Sequence, residues 1–203
     1  MVQLLLAVCF LALVASIPAT GGKIGRLAEH RFKASWLLAF AFAIQIGLTT
    51  GLLGLQGGGA AIAHIASYAL GFAFLGANRA LAGLWVVALG GAANLVAIVA
   101  NHGVMPATHS AMATAGKLST SAEFVNSAVL SDPKLLFLGD VFALPQSIFF
   151  ANVFSAGDVL IVIGAGMLLH QLCGRAGSST QPVSSSAADS NTSEWTSTSA
   201  AVV

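Results

Sequence analysis

Long apolar runs separated by short polar stretches make up most of this chain. An α-helix needs about 20 apolar residues to cross the roughly 30 Å hydrocarbon core of a bilayer. Five runs reach or approach that length, and we interpret each of them as a transmembrane helix. They cover residues 2–18, 34–54, 59–78, 80–100 and 156–172. The pattern therefore predicts an all-α integral membrane bundle of five transmembrane helices.

The composition favours the same class of protein. Of the 203 residues, 57% are hydrophobic and 7% are charged, whereas an average soluble domain carries about 25% charged residues. The net charge of +1 provides no basic surface for nucleic acid. We therefore expect the lipid bilayer as the main partner, with another membrane protein or a second copy of the chain as further possibilities.

The sequence contains no recognisable signature for a cofactor or a metal ion. Cys9 and Cys173 lie in the first apolar run and just after the last one. The histidines at positions 102 and 109 follow no known ligand spacing. We therefore expect neither a metal nor a cofactor.

The basic residues predict the orientation, because cytoplasmic loops are enriched in Lys and Arg. Six of the eight basic residues fall on one side of the five predicted helices, so we assign that side to the cytoplasm. These six are Lys23, Arg26, Arg31, Lys33, Arg79 and Arg175. The N-terminus is then outside, the C-terminus is inside, and the expected location is the inner membrane of a bacterium.

Two segments lie outside the predicted helices. Residues 101–155 join the fourth and fifth helices and form an extracytoplasmic segment in this topology. Residues 174–203 are rich in Ser, Thr and Ala, a composition that buries too little apolar surface to fold. We predict that they form a disordered cytoplasmic tail after a transmembrane domain of residues 1–173.

Polar side chains inside the predicted helices are the first candidates for a functional site, because they are costly in a membrane. The topology brings four of them to the outer face, namely Gln45, His64, Asn94 and Asp158, together with Asn101 just after the fourth helix. A simpler interpretation is that Gln45 and Asn94 hydrogen-bond between helices and that His64 has an interhelical partner.

Two aspartates are embedded in strongly apolar sequence, at positions 140 and 158. Ser155 and Asp158 have the spacing of a capping box, so helix initiation alone can explain Asp158. The alternative is that Asp140 and Asp158 form a pair. Two carboxyl groups within about 3 Å of each other cannot both ionise, and such a pair can perform acid–base catalysis.

Four short motifs, taken together, resemble a family of uncharacterised bacterial multi-pass membrane proteins that is defined only as a domain of unknown function. The resemblance covers roughly residues 20–172 and implies no activity. The motifs are Asn101-His102-Gly103-Val104-Met105-Pro106, Leu138-Gly139-Asp140, Leu144-Pro145 and Phe154-Ser155-Ala156-Gly157-Asp158-Val159-Leu160-Ile161.

The last motif also resembles the start of the final helix in type II (lipoprotein) signal peptidases, which are membrane aspartyl proteases. That resemblance implies a catalytic role for Asp158 and for Asp140, 18 residues upstream. Asn101 and Gly103 are similar to the Asn-x-Gly motif of those enzymes. The chain departs from their pattern at Ser155, where they have asparagine, and it has no counterpart of their Asn-x-x-Asp motif.

Three functions are compatible with these residues. The first is a non-enzymatic membrane protein whose outer polar site, formed by Asn94, Asn101, Asp140 and Asp158, serves structure or partner binding. The second is a membrane aspartyl hydrolase that uses Asp140 and Asp158, with His64, Gly103 and Ser155 in supporting positions. The third is a subunit of a small-molecule or ion transporter, which is disfavoured because no charge lies mid-membrane.

Overall fold

A computed structural model describes residues 2–118, 127–147 and 151–174 of the chain. It is mostly helical. The N-terminal part consists of helices only, which are α1 (Val2–Ala19), α2 (Gly25–Glu29), α3 (Ser35–Thr49), α4 (Gly57–Ala77) and α5 (Ala82–Ala100). The expected tail, residues 174–203, lies outside the described residues apart from Gly174.

The segment after α5 contains short elements and leads into the last helix. These elements are β1 (Met105–Pro106), α6 (His109–Thr114), β2 (Ser127–Ala128), a 3-10 helix (Leu136–Leu138), β3 (Phe142–Leu144), β4 (Asn152–Phe154) and α7 (Ala156–Cys173). The all-α prediction is therefore incomplete, since the described part of this segment contains four strands of two or three residues. Strands this short leave no alternating pattern that a sequence could reveal.

Among the described residues, three helices are long and apolar enough to cross a membrane, namely α4, α5 and α7. Helix α3 is apolar but has only 15 residues, fewer than the run of 34–54 predicted. Its helical path ends because Gly51 and Gly54 both adopt positive φ angles, of 71° and 59°. Glycine tolerates this left-handed conformation, and the chain turns there instead of continuing the helix.

Helices α5 and α7 pack with their backbones in direct contact. A Cβ built on Gly83 would lie 2.7 Å from the Gly164 carbonyl oxygen, and one on Gly90 would collide with the Gly157 carbonyl oxygen. Small residues permit such close approach, which favours helix association inside a membrane. Gly83 and Gly90 of α5 thus face α7, Gly91 faces Phe72 of α4, and α4 packs chiefly against α3.

The four strands form two small sheets at the end of the bundle where α5 ends and α7 begins. Strands β1 and β2 are parallel, with Met105 opposite Ser127. Strands β3 and β4 are antiparallel, with Phe142 opposite Phe154. Asp140 lies just before β3 and forms an isolated parallel bridge with Ala107, the residue after β1.

Candidate functional site

The first turn of α7 is held by a capping box, as its sequence predicted. The Ser155 hydroxyl accepts a hydrogen bond from the Asp158 backbone N–H at 3.0 Å. The Asp158 Oδ2 atom accepts one from the Ser155 backbone N–H at 2.9 Å. Ser155 is fully buried, so this cap satisfies backbone groups that water does not reach.

Asn94 of α5 connects this cap to the neighbouring helix. Its Nδ2 atom donates to Asp158 Oδ1 at 2.8 Å, and its Oδ1 atom lies 2.9 Å from the Ser155 hydroxyl. A Cβ on Gly157 would overlap the Asn94 amide, so glycine is required for this approach. The expected interhelical role of Asn94 is therefore confirmed.

Asp140 reaches the same region from the segment between the two sheets. Its backbone N–H donates to the Pro106 carbonyl at 2.9 Å, and its carbonyl accepts from the Thr108 N–H at 3.2 Å. Its carboxylate is only 4% exposed and accepts a 2.5 Å hydrogen bond from the Ser127 hydroxyl. The backbone thus fixes Asp140 at the edge of β1 with its side chain turned inward.

Burial raises the pKa of Asp140 to about 6. The hydrogen bond from Ser127 opposes this rise, the negative charge of Asp158 adds to it, and the positive charge of Lys117 opposes it. Burial also lowers the pKa of Lys117, whose ammonium group donates to Asn152 Oδ1 at 2.5 Å. Asp140 therefore lies within electrostatic reach of a second carboxylate and of a cation.

Both aspartates line one cavity of about 40 Å³. A water molecule needs at least about 10–15 Å³ of such space and two to four polar partners, so the cavity has room for water and the groups to bind it. Its wall combines carboxyl, amide and hydroxyl groups with three apolar side chains. The lining residues are Tyr68, Asn94, Ile98, Met105, Ser127, Asp140, Val153 and Asp158.

Three other candidate residues, Asn101, Gly103 and His64, are not among the residues that line the cavity. Asn101 ends α5 and forms two hydrogen bonds with the Lys134 backbone, at 2.7 and 2.8 Å. The Gly103 carbonyl oxygen is 3.1 Å from His64 Nδ1. Gly103 has a φ of 94°, and a Cβ there would collide with Ala61 of α4. These contacts attach the segment after α5 to α4 and to Lys134, two residues before the 3-10 helix.

Gln45, which was expected at the same level, lies elsewhere and hydrogen-bonds Ser67 of α4 at 2.7 Å. This bond confirms its expected interhelical role. Sequence reasoning missed two polar residues of the cavity, Tyr68 and Ser127. Tyr68 could have been found, because it is the only tyrosine of the chain and lies one helical turn after His64 on the same face. No comparable feature of the sequence singled out Ser127 as a residue of the site.

These helices and this polar site define a membrane-type helical protein with two carboxyl groups at one end of its bundle. Residues 29–170 match the model of a family of unknown function (DUF5317). The match covers more than two thirds of the chain, and the protein belongs to that family. No curated protein and no solved structure matches the chain. The predicted membership of a domain of unknown function is confirmed, while the likeness to signal peptidases finds no support in these comparisons.

Proposed function

We propose that the chain crosses the cell membrane of a bacterium five times, with the N-terminus outside and residues 101–155 on the outer side. The grouping of basic residues between α1 and α3 and after α4 supports this orientation. Helices α1 and α3 supply the two crossings beyond α4, α5 and α7.

The orientation can be tested with single cysteines in a chain whose own two cysteines have been replaced. His102 and Arg79 are both exposed and lie on opposite sides in this topology. A membrane-impermeant maleimide should label His102→Cys in intact cells and Arg79→Cys only after lysis. The reverse pattern would contradict the proposed orientation.

Within this topology we propose a membrane aspartyl hydrolase that cleaves peptide bonds at the outer face. One observation carries the proposal, namely that Asp140 and Asp158 line the same water-sized cavity in different environments. Asp140 is buried with its pKa raised to about 6. Asp158 receives hydrogen bonds from two N–H groups, the arrangement that an ionised carboxylate accepts.

This difference assigns the two steps of hydrolysis. The Asp158 carboxylate takes a proton from a water molecule, and the oxygen of that water attacks the peptide carbonyl carbon. At the same time protonated Asp140 donates its proton to the carbonyl oxygen. The gem-diol intermediate then collapses. Its C–N bond breaks, the leaving nitrogen takes the proton from Asp158, and a hydroxyl proton returns to Asp140.

The cavity sets a condition on this mechanism. Its volume of about 40 Å³ holds water but not a peptide chain, so the scissile group has to displace that water and widen the cavity. The wall contains apolar side chains at Met105 and Val153, which can be displaced without leaving polar groups unpaired.

The test is hydrolysis of membrane-anchored peptide substrates by the purified protein. Asp140→Asn and Asp158→Asn should each abolish cleavage, whereas Asp132→Asn, at an exposed position, should not. Because Asp140 has to be protonated, the rate should fall as the pH rises through about 6. Full cleavage by either aspartate variant would exclude the dyad.

A second candidate is the non-enzymatic role, in which the polar site supports structure or partner binding. The observation that favours it is the capping box, which already accounts for Asp158. On this proposal Asp158→Ser should be much milder than Asp158→Leu in protein accumulation, because a polar side chain preserves capping. Proton or ion flux in liposomes would point instead to a transport subunit.

A further inference from the structure

Tyr68 is the cavity residue that neither capping nor the aspartate pair explains. It lies on α4, whereas Asp140 and Asp158 come from the segment around the two sheets and from α7. Its ring packs against the apolar cluster of Ala97, Ile98 and Met105 and against His64, with a distance of 5.6 Å between ring centroids. These contacts hold the ring, and Tyr68 is one of the residues that line the cavity.

The geometry of α4 directs that hydroxyl toward the carboxylates. Tyr68 lies 11 residues after the start of α4, about 16 Å along the helix axis, while Asn94 lies about 9 Å from the end of α5. Side chains of a helix tilt back toward its N-terminus, which brings the phenol up to the level of Asn94. Tyr68 lines the same cavity as Asn94, Asp140 and Asp158, and the two aspartates lie within electrostatic reach of its hydroxyl.

We propose that Tyr68 is a third catalytic residue, which donates its O–H to the peptide carbonyl oxygen as negative charge develops there. This inference rests on the proposed hydrolysis. Protonated Asp140 supplies one donor to that oxygen, and the phenol supplies the second, as in the paired donors of an oxyanion hole. The phenol keeps its proton throughout, so it adds no step to the proton balance of the reaction.

Two further features suit Tyr68 to this role. A phenol is a donor without a formal charge at neutral pH, so it stabilises the oxyanion without adding a charge beside the two carboxylates. Its ring is also held by packing against His64 and against the cluster of Ala97, Ile98 and Met105, so little reorganisation is needed when the substrate arrives. Preorganised donors of this kind contribute most of the stabilisation in such sites.

The experiment compares Tyr68→Phe with the wild-type protein in the peptide-cleavage assay. The substitution removes one oxygen atom and retains the packing of the ring. We expect kcat to fall by about 10²–10³-fold, as when one oxyanion donor is removed elsewhere, with KM unchanged. The matched control is Phe72→Leu, one helical turn further along α4 and facing Gly91, which should retain wild-type kcat.

A second measurement uses binding instead of turnover. The probe is a substrate-like peptide in which a hydroxyethylene isostere, a mimic of the tetrahedral intermediate, replaces the scissile bond. Tyr68→Phe should weaken its binding at least tenfold while the control variant binds it as tightly as wild type. An unchanged kcat and an unchanged affinity in Tyr68→Phe would overturn the role of Tyr68 and leave the aspartate pair intact.

The hydrolase proposal and the role of Tyr68 predict different results when they fail. If the wild-type protein neither cleaves the peptide nor binds the isostere, the hydrolase proposal fails and the role of Tyr68 fails with it. If the wild type does both and Tyr68→Phe matches it, only the role of Tyr68 fails. If Tyr68→Phe does not accumulate as a monodisperse protein, Tyr68→His takes its place. The imidazole again provides a ring donor, so this variant should retain part of the wild-type kcat for peptide cleavage.

Discussion

Replacing Asp140 with asparagine should make the folded protein more stable at neutral pH. Asp140 is almost fully buried, and its pKa rises from 3.8 to about 6 on folding. At neutral pH the carboxyl group ionises in both states, and its ionisation is less favourable in the folded state than in the unfolded chain. The asparagine side chain has the same shape, carries no charge and can still accept the hydrogen bond from Ser127.

The magnitude follows from the two pKa values. A difference of one pKa unit corresponds to about 1.4 kcal/mol, so the rise from 3.8 to about 6 corresponds to about 3 kcal/mol. The folded state binds the proton more tightly, so the wild type should lose stability as the pH rises from about 4 to about 6 and then level off. Asp140→Asn lacks this pH dependence. Its free energy of unfolding should therefore exceed that of the wild type by an amount that grows from about pH 4 to about pH 6.

The measurement is the free energy of unfolding in detergent micelles at a series of pH values from about 4 to about 8, for both proteins. Asp132→Asn is the control, since Asp132 is exposed and its substitution should change stability by less than about 0.5 kcal/mol. Parallel curves for wild type and Asp140→Asn between about pH 4 and 7 would refute the reasoning, because they would show that Asp140 does not titrate in a buried site.

Three other substitutions test the surroundings of the site. Ser155→Ala removes the cap of α7 and should cost about 1–2 kcal/mol in thermal unfolding, whereas Ser155→Thr should recover most of it. Gly90→Ala should separate α5 from α7 and destabilise the protein by about 1–3 kcal/mol. The control is Gly71→Ala, which should be neutral or stabilising because no described atom lies within 4 Å of the new Cβ. Equal effects of the two substitutions would contradict the assigned packing. Asn101→Ala should speed hydrogen exchange of the Lys134 amide, and an unchanged rate would show that this contact does not hold the segment.

The sequence predicted well those features that depend on local patterns. The limits of α4, α5 and α7 agree with the apolar runs to within two residues, because length and hydropathy determine which segments fit a bilayer. The capping box at Ser155 and Asp158 was also predictable, since its partners are three residues apart. The juxtaposition of Asp140 and Asp158 around one cavity was a hypothesis that the sequence could raise but not decide.

Features that depend on distant contacts were less predictable. Glycines recur in both α4 and α5, and only the fold reveals that Gly83 and Gly90 meet α7. The strands are too short to leave a pattern, so Ser127 could not be linked to Asp140. Tyr68 enters the site from an apolar helix, and its being the only tyrosine of the chain was the one feature that set it apart from the other aromatic residues.

The hydrogen bond between Asn94 and Asp158 joins residues that are 64 positions apart. At a synthesis rate of about 5–20 residues per second, Asp158 is made about 3–13 s after Asn94. During that interval the Asn94 amide of α5 lacks the carboxylate that it contacts in the folded protein. The carboxylate pair is therefore assembled only late in translation, and a nascent chain that stops before α7 carries Asp140 without the second acid.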